Sequence, residues 1–127
     1  MKGKMTERFF YDTYALVEIY KGNPNYQKYT QDTGMIITKL NLMEFIYFLL
    51  REGRENEIRE NIEKLNNYTT KYNYEILVNA AKMKYKNKKE RLSFIDCIGY
   101  FVAKKHSVKF LTGDIKFKGK ENVEFIK

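Results

Sequence analysis

The chain has 127 residues, with 24 Lys and Arg against 16 Asp and Glu, a formal charge of +8, one cysteine and no tryptophan. This length predicts a single domain over residues 1–127 with no room for an appended module. At 43% hydrophobic and 16% aromatic the chain can build a packed core, which excludes a disordered protein. Its lone cysteine, Cys97, excludes a disulfide framework and a cysteine zinc site.

Taken in order, residues 8–11 form a short apolar run that predicts a buried strand ending at Asp12. Residues 13–20 carry Tyr14, Leu16, Val17 and Tyr20 at helical spacing, and Gly22 and Pro24 end that helix. Pro24 suits the first turn of a second short helix over 24–31. Residues 35–38 predict a second strand, and Thr38 or Asn41 can cap a helix running to about Glu52. Residues 55–65 place Ile58, Ile62 and Leu65 at i, i+4 and i+7, an amphipathic helix. A weak third strand is expected over 67–70 and a helix over 73–86. Ser93 caps a helix to about Lys105, an apolar strand follows over 108–111, and a last strand is expected over 123–126. Short apolar strands alternating with amphipathic helices argue for an α/β domain: three layers, α/β/α, around a small, mostly parallel sheet.

The longest apolar run, six residues from Phe45 to Leu50, falls far short of the roughly 18 of a membrane helix. The N-terminal dozen residues have no signal-peptide apolar region. Both suit a cytoplasmic protein without membrane attachment.

The charge is uneven. Residues 1–63 hold 9 Lys/Arg and 10 Asp/Glu, a net of −1, while residues 64–127 hold 15 and 6, a net of +9. The densest stretch contains Lys82, Lys84, Lys86, Lys88, Lys89 and Arg91 with one acid. Such a run can bind a polyphosphate backbone by counterion release, or it can be a solvated face. Tyr85 within it could stack on a base or belong to the core.

Four acids fall at unusual places. Asp12 directly follows the first strand and Asp114 follows the strand at 108–111, so on a parallel sheet both lie on the carboxyl rim, where ligands bind; each can equally be a turn or cap acid. Glu44 and Asp96 sit inside otherwise apolar helical stretches. Acids there are costly unless paired, hydrogen-bonded or bound to a metal, or they are solvated acids on the polar edge of the helix. Carboxylates are hard oxygen donors suited to Mg²⁺ or Mn²⁺, and a divalent ion can activate water and stabilise charge on a phosphate. A metal-dependent phosphodiesterase is therefore one reading.

The residues that carry this pattern resemble the PIN domain family, a small nuclease fold that includes the VapC-type toxins. The matching pieces are residues 9–13, Ile36-Ile-Thr38 with Glu44 six residues on, Leu92-Ser-Phe-Ile-Asp96, Ala103-Lys-Lys-His106, and Lys109-Phe-Leu-Thr112-Gly-Asp114 with Phe117. The resemblance implies that Asp12, Glu44, Asp96 and Asp114 form an acidic quartet for one or two Mg²⁺ or Mn²⁺ ions, with Thr112 orienting the last acid or a metal-bound water. It further implies endoribonuclease cleavage of single-stranded or loop RNA leaving a 3′-hydroxyl, a homodimer, and a small antitoxin partner. Where some members carry another acid after the Thr-x-Asp motif, Ile115 and Lys116 stand here, so Lys116 is a candidate for a substrate phosphate. The alternatives are a metal-free RNA-binding module and an RNA-processing nuclease without an antitoxin.

Other chemistry finds little support. His106 is the only histidine and falls at a helix end, Cys97 reads as a small buried hydrophobe, and no phosphate-binding glycine loop is present.

Overall fold

The computed structural model describes residues 6–127. Four strands, β1 (Glu7–Tyr11), β2 (Thr33–Ile36), β3 (Lys109–Thr112) and β4 (Val123–Phe125), form one sheet in the order β2-β1-β3-β4. All three pairings are parallel, with Phe9 opposite Met35 and Phe10 opposite Phe110. Five α-helices fill the crossovers: α1 (Thr13–Tyr20), α2 (Lys39–Arg51), α3 (Ile58–Leu65), α4 (Tyr74–Lys86) and α5 (Phe94–Lys105).

Period-two alternation divides the core. Phe9, Tyr11 and Leu111 face α1 and α2 and pack on Leu16, Phe45, Leu49 and, from α3, Leu65. Phe10 and Phe110 face the other way, onto Ile76 and Ala80 of α4 and Ile98, Val102 and Ala103 of α5. Helices on both faces of a parallel sheet make the expected three layers. The close seat of α5 needs Gly99, where an added Cβ would stand 2.7 Å from the Phe10 ring and 3.1 Å from that of Phe110.

The main departures from expectation are local. Residues 67–70 are not a strand: Asn66–Tyr68 is a 3-10 turn, and only Thr69 makes a parallel bridge, with Ile37. Two backbone bonds, Ile37 N–H to Tyr68 and Thr70 N–H to Ile37, hold this point. With one paired residue the ladder cannot propagate before the chain turns into α4. Pro24–Thr30 is a 3-10 helix. The helix expected from residue 55 opens as a 3-10 turn, Glu55–Glu57, because Arg54 offers no side-chain cap. β2 lies two residues upstream of its expected position, since Thr38 is spent on capping α2.

Candidate active site

Every helix that follows a strand here starts at the carboxyl rim, so capping chemistry and candidate catalytic chemistry occupy the same place. Asp12 ends β1 and caps α1. Its backbone N–H donates to the Leu111 carbonyl at 3.0 Å, which stitches it to β3. Its Oδ1 accepts from the Thr13 N–H at 2.8 Å and its Oδ2 from the Thr112 hydroxyl at 2.8 Å. Asp12 is 3% exposed. Burial pushes its carboxyl up to about 8, and the negative charge of Asp96 adds to this; the bonds from Thr112 and Thr13 oppose it, and Glu44 contributes a smaller upward push.

Asp96 enters through a capping box. Its N–H donates to Ser93 Oγ at 3.0 Å, and its Oδ2 accepts from the Ser93 N–H at 3.4 Å. Burial raises its pKa, the Ser93 bonds pull it back, Asp114 raises it and Lys116 lowers it. Glu44, half-buried on α2, accepts from the Thr13 hydroxyl at 2.5 Å. Burial raises its pKa against that bond, and Asp96 adds to the rise.

Thr112 is fully buried and joins the first and last acids. Its hydroxyl donates to Asp12 and accepts from the Asp114 N–H at 3.0 Å. Asp114 then accepts from the Lys116 N–H at 3.0 Å and caps the turn Ile115–Phe117. The residue between them has to be glycine: a Cβ on Gly113 would lie 2.3 Å from a Tyr14 ring atom and 2.4 Å from the Ile126 carbonyl.

Two residues of this network carry no signal strong enough to have singled them out as site residues. Asn41 is 1% exposed. Its Nδ2 donates to Thr13 Oγ1 at 3.1 Å, and its Oδ1 accepts from the Thr38 N–H and hydroxyl at 3.0 and 2.8 Å. Thr13 relays this to Glu44. The available clue was spacing: Asn41 stands one helical turn before Glu44.

The four acids line one cleft of about 920 Å³, together with Ser93, Tyr14, Met43, Tyr47 and Arg51. Among the described residues no three His, Cys, Asp or Glu side chains stand close enough together to hold an ion as they are arranged. The fit to Mg²⁺ or Mn²⁺ therefore rests on donor chemistry: four carboxylates on one cleft, three of them with pKa values raised by burial and by one another.

The basic run lies elsewhere. No side chain from Lys82 to Arg91 lines the cleft, and neither does Lys116. Lys84 donates to the Leu92 carbonyl and Lys116 to that of Arg91, at 3.0 Å, so both tie down the loop before α5. Lys88 lies over the exposed ring of Tyr85 at 4.2 Å, and Lys82, Lys86, Lys89 and Arg91 are exposed. The cations on the cleft are Lys21 and Arg51. His106 ends α5 and Cys97 is buried, its thiol pushed up to about 11 by burial first and by Asp96 second.

A parallel three-layer domain with an acid-lined cleft at the carboxyl rim has the architecture of a small nuclease. The chain belongs to the PIN domain family, whose pattern matches residues 9–122; members of this family are generally nucleases. Its structure is similar to a chain of a solved structure titled a toxin–antitoxin complex from Klebsiella pneumoniae, with a TM-score of 0.71 at 18% identity, covering 91% of this chain and 94% of that one. No curated protein matches the chain.

Proposed function

We propose that this protein is a Mg²⁺- or Mn²⁺-dependent endoribonuclease acting as the toxin of a toxin–antitoxin pair. The observation that carries the reading is Asp12: a carboxyl 3% exposed, pushed up to about 8, facing a cleft shared with Glu44, Asp96 and Asp114. Burying acids this way is unfavourable in the empty protein and is relieved by a cation. When bound, the ion supplies positive charge against the phosphodiester and makes water a stronger acid.

The chain's own residues do the rest. Thr13 and Thr112 hold the two oxygens of Asp12. Ser93 sets Asp96 at the start of α5. The Asn41–Thr13 pair positions Glu44, whose carboxylate is placed to take a proton from water. The likeness to a toxin–antitoxin complex supports an antitoxin partner; the homodimer and the cytoplasmic location are proposals of the same reading. The exposed lysines of the basic run serve as an outer surface for RNA.

The test is cleavage of single-stranded RNA with Mn²⁺. Asp12→Asn and Asp96→Asn lose at least about 10²-fold in rate, with circular dichroism unchanged. Equal cleavage by wild type and both variants refutes the reading. Salt-sensitive RNA binding without cleavage or metal response identifies a binding module instead.

A further inference from the structure

Asp12, Glu44, Asp96 and Asp114 are only part of the cleft lining. α1 and α2 both start at the sheet rim and both line the cleft, and their sequences change in the same order. On α1, Asp12 and Thr13 give way to Tyr14 and Val17 and then to Lys21; on α2, Glu44 gives way to Tyr47 and then to Arg51. Seven residues separate Glu44 from Arg51, about 10 Å along the helix. That is the reach of a nucleotide held by its phosphate at the acids.

Tyr47 is the unusual residue on this path. It is 62% exposed on the cleft wall, beside Met43 at 55%. The Arg51 guanidinium lies 5.4 Å from its ring centroid, which widens the flat surface and adds donors able to meet a base edge. Lys21 is already held by Glu18 at 3.9 Å, and Glu52 also lines this end. The far end is therefore no second phosphate clamp; its distinguishing feature is a planar aromatic surface.

We propose that Tyr47, with Arg51, is the stacking platform for a nucleobase of the single-stranded RNA whose phosphate sits at the acids. Stacking on an aromatic side chain is tolerant of base identity and contributes appreciable affinity per base. The Arg51 donors add a preference for bases with acceptors on the exposed edge. Tyr47 acts as a substrate-binding residue and leaves the acid site intact. This inference rests on the ribonuclease reading above.

The chain has no tryptophan, so Tyr47→Trp places one fluorescent reporter on the platform. It is made in an Asp96→Asn background, which prevents turnover, and titrated with a short single-stranded RNA and with an abasic ribose-phosphate of equal length. The base-bearing RNA quenches the emission and the abasic strand does not. In the same background Tyr47→Ala weakens RNA binding roughly ten-fold or more, while Tyr47→Phe, which keeps the ring, binds as before. With Asp96 restored, Tyr47→Ala raises KM more than it lowers kcat and keeps the wild-type melting response to Mn²⁺. Equal quenching by both strands overturns the proposal. So does undiminished RNA binding by Tyr47→Ala, which assigns this face to a protein partner while the nuclease reading stands. Absence of any RNA binding by the Asp96→Asn protein, together with no cleavage by wild type, overturns both.

Discussion

The buried carboxyl of Asp12 has a thermodynamic signature in the metal-free protein. Its pKa stands at about 8 in the folded chain against a reference of 3.8. Between those values the folded state keeps a proton that the unfolded state has released, so this group's contribution to stability is highest below about pH 4, falls as pH rises toward 8, and levels off above that. One such group changes stability by about 1.4 kcal/mol per pH unit. From pH 5 to 7.5 the loss is about 3 kcal/mol, which for a domain of this size lowers the melting temperature by roughly 10 °C. Glu44 and Asp96 shift in the same direction, mainly through burial, so each adds a loss of the same sign. Asp12→Asn removes the largest contributor. The amide still accepts from the Thr13 N–H, but its NH₂ meets the Thr112 oxygen and the threonine proton loses its acceptor, at a cost of about 1 kcal/mol. Melting curves in chelator at pH 5 and 7.5 therefore show a steep fall for wild type and a shallow one for Asp12→Asn, with the variant the more stable at pH 7.5. A wild-type melting temperature that is flat or rising over this range, or an unchanged slope in the variant, refutes the account of the buried acid.

Metal binding reverses the same effect: millimolar Mn²⁺ raises the wild-type melting temperature, by an amount equivalent to about 2.7 kcal/mol when free ion is 100 times its dissociation constant, and Asp96→Asn blunts the rise; no shift at millimolar Mn²⁺ counts against the site. Thr112→Val keeps the shape but leaves the Asp114 N–H without its acceptor and Asp12 Oδ2 without its donor, destabilising the fold by about 1–3 kcal/mol and lowering cleavage, read by denaturant melts and an RNA assay; unchanged values deny Thr112 its linking role. Gly99→Ala forces a methyl against the Phe10 and Phe110 rings and destabilises by about 1–3 kcal/mol, measured in urea, with the residual folded enzyme still active; a neutral effect means α5 has room to move.

Much of the architecture was readable because it depends on local rules. The caps Asp12, Thr38 and Ser93 and the apolar spacing of residues 13–20, 39–51 and 94–105 give nearly the observed helices. The weak strand at 67–70 failed because strand identity depends on a partner, and there only Thr69 finds one. The basic run illustrates the same limit for function. Charge density along the chain says nothing of which wall a side chain joins, and Lys84 and Lys116 bond to backbone carbonyls while the nearly neutral first half supplies the cleft with Lys21 and Arg51.

The sequence by itself determined that strands alternate with helices and that Asp12 and Asp114 end strands, because both follow from periodicity and capping over a few residues. It also marked Glu44 and Asp96 as acids in apolar stretches. Only the tertiary structure decided that these four, separated by up to 102 positions, share one cleft, that Thr112 joins the first to the last, and that Asn41 and Thr13 hold Glu44. The physical reason is that parallel pairing of β1 with β3 brings Tyr11 beside Leu111. The desolvation and mutual repulsion that shift the acids arise from that three-dimensional proximity, which no local pattern in the chain encodes.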